Sequence, residues 1–107
     1  MALLSAIIAI SGCAFGPEQQ KPVLNGHSTK MPAGVNRCLV AQWQHIAVDI
    51  ASSRTDSGYR IAATRALVGT VALALVRPRE NGGTDVAVYA LSKGMNRDWA
   101  ETAVSCL

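Results

Sequence analysis

The chain has few of the residues from which metal sites and catalytic centres are built. Its 107 residues include two histidines and three cysteines, and aromatic residues make up only 5%. No HExxH pattern, closely spaced cysteine pair, GxSxG motif or phosphate-binding glycine loop occurs. The sequence therefore predicts no metal site and no cofactor, and it predicts that the protein is not an enzyme.

Long runs of like charge are also missing. The formal net charge is +3, and the arginines between residues 37 and 97 are interspersed with aspartates and glutamates. Charges mixed in this way are typical of a solvated surface, whereas a nucleic-acid-binding domain concentrates basic residues on one face. We therefore expect no nucleic-acid partner.

The main apolar run, ALLSAIIAI at residues 2–10, is shorter than the roughly 20 residues that a transmembrane helix needs. Its length suits the h-region of a signal peptide, although no Lys or Arg precedes it. It leads into Ile10-Ser11-Gly12-Cys13, an aliphatic residue, two small residues and a cysteine. This motif resembles the lipobox of bacterial lipoproteins. The resemblance implies cleavage before Cys13 and attachment of diacylglycerol to its thiol.

This resemblance divides the chain into three parts. Residues 1–12 are the expected signal peptide, residues 13–31 a flexible lipid-anchored tether rich in Pro, Gly and polar residues, and residues 32–107 one globular domain. Ala14 stands where lipoproteins retained in the inner membrane tend to have Asp, so the resemblance favours the outer membrane, facing the periplasm or the cell surface. The alternative is that residues 3–10 form a buried element and Cys13 is a core thiol.

The globular part is predicted to be α+β. Val35, Leu39, Trp43 and Ile46 recur at helical spacing, which predicts a first helix over about residues 33–48. The spacing of Met95, Trp99, Ala103 and Cys106 predicts a second helix that begins near Asn96. Between the helices, residues 58–64, 68–77 and 84–91 are rich in β-forming residues and separated by turn sequences, and the central strand is apolar on both faces. The expected order is α-β-β-β-α, a three-stranded antiparallel sheet flanked by two helices.

Cys38 and Cys106 fall on the two predicted helices. Export would place both in an oxidising compartment, and with Cys13 used for the lipid they form an even pair. We therefore expect a disulfide, which would close a loop of roughly 70 residues and stabilise the fold by about 4 kcal/mol. The alternative is two buried free thiols.

Other candidate site residues have simpler explanations. His45 and Asp49 would share one face of the first helix, but no third ligand completes a metal or acid–base site, so a surface hydrogen bond is the better interpretation. Trp43 and Trp99 could line a ligand groove, but each lies in the apolar stripe of its helix. We expect both in the core.

The hypothesis that the sequence favours is a lipid-anchored envelope protein that presents a small disulfide-linked domain to an envelope partner. The alternatives are a periplasmic module that binds a glycan or lipid fragment, and a prophage-encoded envelope inhibitor. The spacing from Cys38 to Trp43 and the terminal Cys-Leu resemble those of small proteobacterial and prophage lipoproteins. That resemblance implies no activity.

Overall fold

The computed structural model describes residues 21–46, 49–90 and 96–107. Five strands and two helices are present in these ranges. Their order along the chain is β1 (Leu24–Ser28), α1 (Pro32–Trp43), β2 (Asp49–Thr55), β3 (Gly58–Arg65), β4 (Gly69–Pro78), β5 (Thr84–Ala90) and α2 (Asn96–Val104).

The strands form one antiparallel sheet in the order β1-β5-β4-β3-β2. The three-stranded sheet predicted from the sequence is therefore wrong, although the three predicted strands are present as β3, β4 and β5. The two missing strands are the edges of the sheet: β1 lies in the segment assigned to the tether, and β2 lies between the first predicted helix and the first predicted strand.

The first of these edges, β1, lies inside the segment predicted to be a tether. Leu24 pairs with Val88 and Ser28 with Thr84, so residues 24–28 belong to the folded body. The sequence LNGHS contains no alternation of apolar and polar residues, because an edge strand can be held by backbone hydrogen bonds to its one neighbour.

The other edge, β2, begins directly after the range predicted for the first helix, in a segment for which no strand was predicted. Helix α1 ends at Trp43, and the amides of His45 and Ile46 bond to carbonyls three residues back, which closes the helix with tighter turns. Asp49 then starts β2, whose residues are mostly exposed. Ile50 is the only residue of this strand that packs against the core. The sequence of β2 therefore shows little of the apolar–polar alternation that predicts a strand.

Strand β4 is the middle strand, as its apolar faces predicted. The register shifts by one residue between Ala63 and Thr64, and this leaves Val71 as a bulge. Because of the bulge, the consecutive residues Val71 and Ala72 both join the core.

The core lies between one face of the sheet and the two helices. It contains Ile61 and Ala63 from β3, Ala74 and Val76 from β4 and Val88 from β5, all of them fully buried. Helix α1 contributes Val35, Leu39 and Trp43, and α2 contributes Trp99 and Ala103. The residues that alternate with these on the strands point to the opposite side, which we call the back face; no described helix packs there.

The two ends of the sheet are named by where the chain enters it. At the entry end the chain enters β1 at Val23, β3 turns into β4, and β2 begins. At the far end lie Ser28, the turn between β2 and β3, and the turn between β4 and β5. Because neighbouring strands are antiparallel, Val23 and the β3–β4 turn lie at the same end of the sheet.

Candidate functional site

The predicted disulfide is confirmed. Cys38 of α1 is bonded to Cys106, two residues beyond the end of α2, and their Cα atoms are 5.6 Å apart, within the usual range for disulfides. Cys106 is fully buried and Cys38 packs against the core. Cys106 therefore lies just after the second helix and not on it as predicted, and the bond joins α1 to the segment that follows α2.

The predicted core position of the two tryptophans is also confirmed. Trp43 and Trp99 are both completely buried and meet edge to face, with ring centroids 4.9 Å apart. The Trp43 Nε1 donates to the Trp99 carbonyl at 3.4 Å, whereas the buried Trp99 Nε1 has no hydrogen-bond partner. Neither indole is therefore exposed, so neither can line a ligand groove.

The expected helical pairing of His45 and Asp49 is wrong. Because α1 ends at Trp43, His45 lies in the turn after the helix and Asp49 is the first residue of β2. Both side chains are exposed. Among residues 21–46, 49–90 and 96–107, no cluster of three or more His, Cys, Asp or Glu side chains could hold a metal ion.

The back face carries a shallow groove near the far end. Its floor includes Leu75 and Ala87, and its rim includes His27, Arg77 and Asp85. These residues come together through the strand register, since Asp85 pairs with both His27 and Arg77, and Ala87 pairs with Leu75. Sequence analysis missed this site because its members lie on three strands, one of which was unpredicted.

Charge in the groove is arranged around Asp85. Its Oδ1 lies 3.4 Å from Arg79 Nε and 3.8 Å from His27 Nδ1, with all three side chains well exposed. The groove has a volume of about 270 Å³ and is open to solvent. It is lined by both apolar and charged side chains and lacks the enclosing walls of a typical small-molecule pocket.

The β3–β4 turn at the entry end presents two exposed apolar side chains. Leu67 is 106% exposed and Val68 is 59% exposed. The Val68 amide bonds to the Arg65 carbonyl at 3.1 Å and closes the turn. Leu67 has a φ of +67°, a conformation that Gly or Asn usually adopts and that costs a residue with a Cβ about 1 kcal/mol or more. Sequence analysis missed this feature because it placed Val68 in a strand.

The candidate lipidation site, Cys13, lies outside the described residues, as does the whole expected signal peptide. No helix in the described part of the chain is long and apolar enough to cross a membrane.

Comparison of the chain with protein-family models, with curated proteins and with solved structures found no match.

Proposed function

We propose that this protein is a bacterial lipoprotein, anchored to the envelope through a lipid on Cys13, whose folded body binds another envelope protein. The signal-peptide-like run at residues 2–10 and the lipobox-like motif that ends at Cys13 specify the anchor. The favoured location is the periplasmic side of the outer membrane.

The observation that carries the proposal is the disulfide between Cys38 and Cys106. Disulfides persist in exported proteins and are rare in the cytosol, so the bond favours export. The chain has three cysteines, and this pairing leaves Cys13 outside the bond. The cysteine that remains is therefore the one that follows the apolar run and two small residues.

The geometry of the body supports an interaction role. The groove of His27, Arg77 and Asp85 lies near the far end of the sheet, and the chain from Cys13 reaches the body at the entry end. A body that stands on its entry end would present the groove away from the membrane. Anchoring also raises the local concentration of the domain, so a small interface suffices for binding.

The anchor is tested by changing Cys13→Ser in cells. Serine lacks the sulfur that forms the thioether, so we expect processing before residue 13 to stop and fatty-acid labelling to be lost. The control is the unchanged protein, whose intact mass should correspond to a chain that begins at Cys13, carries lipid and lacks two hydrogens. A wild-type protein that keeps residues 1–12 and carries no lipid would refute the anchor.

The interaction role is tested with a photoreactive amino acid at Arg77 in the groove, and at Ala41 on the exposed side of α1 as the matched control. Both positions are exposed, so neither substitution should disturb the core. We expect cross-links to one defined envelope protein from Arg77 and none from Ala41. Equal cross-linking from both positions, or none from Arg77, would argue against the groove as the binding surface.

A further inference from the structure

We propose that the β3–β4 turn is a second membrane contact, in which the side chains of Leu67 and Val68 enter the lipid surface. The orientation of the body in this inference depends on the proposed anchor at Cys13. The contact itself can be tested separately.

The two residues form a contiguous apolar tip. Leu67 and Val68 are neighbours in one turn, and each exposes more than half of its surface. The other large hydrophobic residues exposed in the described part of the chain, Met31 and Val104, are single residues, one before α1 and one at the end of α2. Isolated exposed apolar residues are common, whereas an exposed apolar pair at the tip of a hairpin suggests a contact with something apolar.

The backbone of the turn shows that folding does not require leucine there. A glycine at residue 67 would adopt the positive φ without strain and would remove the exposed apolar surface. Leu67 therefore has an unfavourable backbone and a side chain that gains nothing from the core. Strain of this kind at an exposed tip points to a role outside the folded body.

The position of the turn favours a membrane as the apolar surface that it contacts. Ten peptide steps from Cys13 to Val23 span at most about 35 Å, so a lipid on Cys13 holds Val23, at the entry end, within that distance of the bilayer. The β3–β4 turn lies at that same end. Strand β3 is three strand spacings from β1, or about 14 Å across the sheet. The anchor and the turn can therefore reach one bilayer together.

Charged side chains at the entry end contribute little to the proposed membrane contact. Lys21 and Arg65 lie there and could approach anionic headgroups, but Asp49 at the start of β2 opposes them. The attraction should therefore come mainly from burial of the two apolar side chains, and added salt should weaken it little.

The test uses Leu67→Trp as a depth probe in the full-length protein, purified from bacterial membranes and reconstituted in vesicles of phosphatidylethanolamine and phosphatidylglycerol with brominated acyl chains. Bromine quenches tryptophans that enter the hydrocarbon region. Trp43 and Trp99 are buried and provide the same background in every variant. The matched control is Asn81→Trp, in the exposed β4–β5 turn at the far end. We expect several-fold stronger quenching for Leu67→Trp than for Asn81→Trp, in low and in high salt.

Equal quenching of the two variants would overturn the inference. The intact mass of each sample separates this result from the fate of the anchor. If Cys13 carries lipid and the two variants are quenched equally, the turn contact is rejected and the anchor is supported. Selective quenching without lipid on Cys13 supports the turn contact and rejects the anchor, and the absence of both rejects both.

Discussion

Two adjacent glycines in the β4–β5 turn have similar backbones but different surroundings. Gly82 and Gly83 have φ values of +98° and +89°. A Cβ on Gly82 would meet no atom within 4 Å, whereas a Cβ on Gly83 would collide with the Ser28 carbonyl oxygen of β1. The β4–β5 turn and the end of β1 are thus packed backbone against backbone.

This difference allows a matched test of that contact. We expect Gly82→Ala to lower the free energy of unfolding by about 1–2 kcal/mol, because alanine is strained at positive φ. Gly83→Ala has the same strain and must also displace β1, which should cost about 1–3 kcal/mol more. Urea denaturation of both variants measures the difference. Equal losses would mean that β1 does not pack against the turn as described.

At the scale of elements, the sequence predicted the strands whose apolar residues recur with a regular period and are buried, and it missed the edge strands, which lack that pattern. Strands β3, β4 and β5 were found because their apolar residues contact the core. Strand β1 was missed because Gly26 and Ser28, which face the helices, give no apolar signal. Gly26 leaves room for the side chain of Leu107, and the Ser28 hydroxyl donates to the Leu107 carbonyl at 2.9 Å. Such contacts join residues far apart in the chain, so local patterns cannot reveal them.

The disulfide is the covalent link between the two helical elements, and its removal can be predicted. The double variant Cys38→Ala/Cys106→Ala releases a link between residues separated by 68 positions. We expect the free energy of unfolding to fall by about 4 kcal/mol, because the unfolded chain regains the entropy of the open loop. The urea midpoint measures this loss. A reductant should lower the midpoint of the wild type and leave the double variant unchanged; a wild type insensitive to reductant would contradict the prediction.

At the scale of the whole molecule, the sequence predicted the pairing of Cys38 with Cys106 but neither of the two surface sites. The pairing followed from a count of cysteines and an expected compartment. The groove depends on the register that brings His27 beside Asp85, and the tip depends on the φ of Leu67. Neither register nor backbone torsion can be read from composition or periodicity. The anchor at Cys13 stays a prediction from the sequence.

The direction of β1 also determines how the body responds to mechanical force. A load that pulls Lys21 away from the entry end acts along the axis of β1. The five residue pairs between β1 and β5 are then sheared together, and the Ser28–Leu107 hydrogen bond resists at the other end of the strand. Bonds loaded in parallel yield only at a higher force than bonds opened one after another. Strand β1, with five residues, can thus resist a pulling force between the body and the structure that holds its N-terminal side.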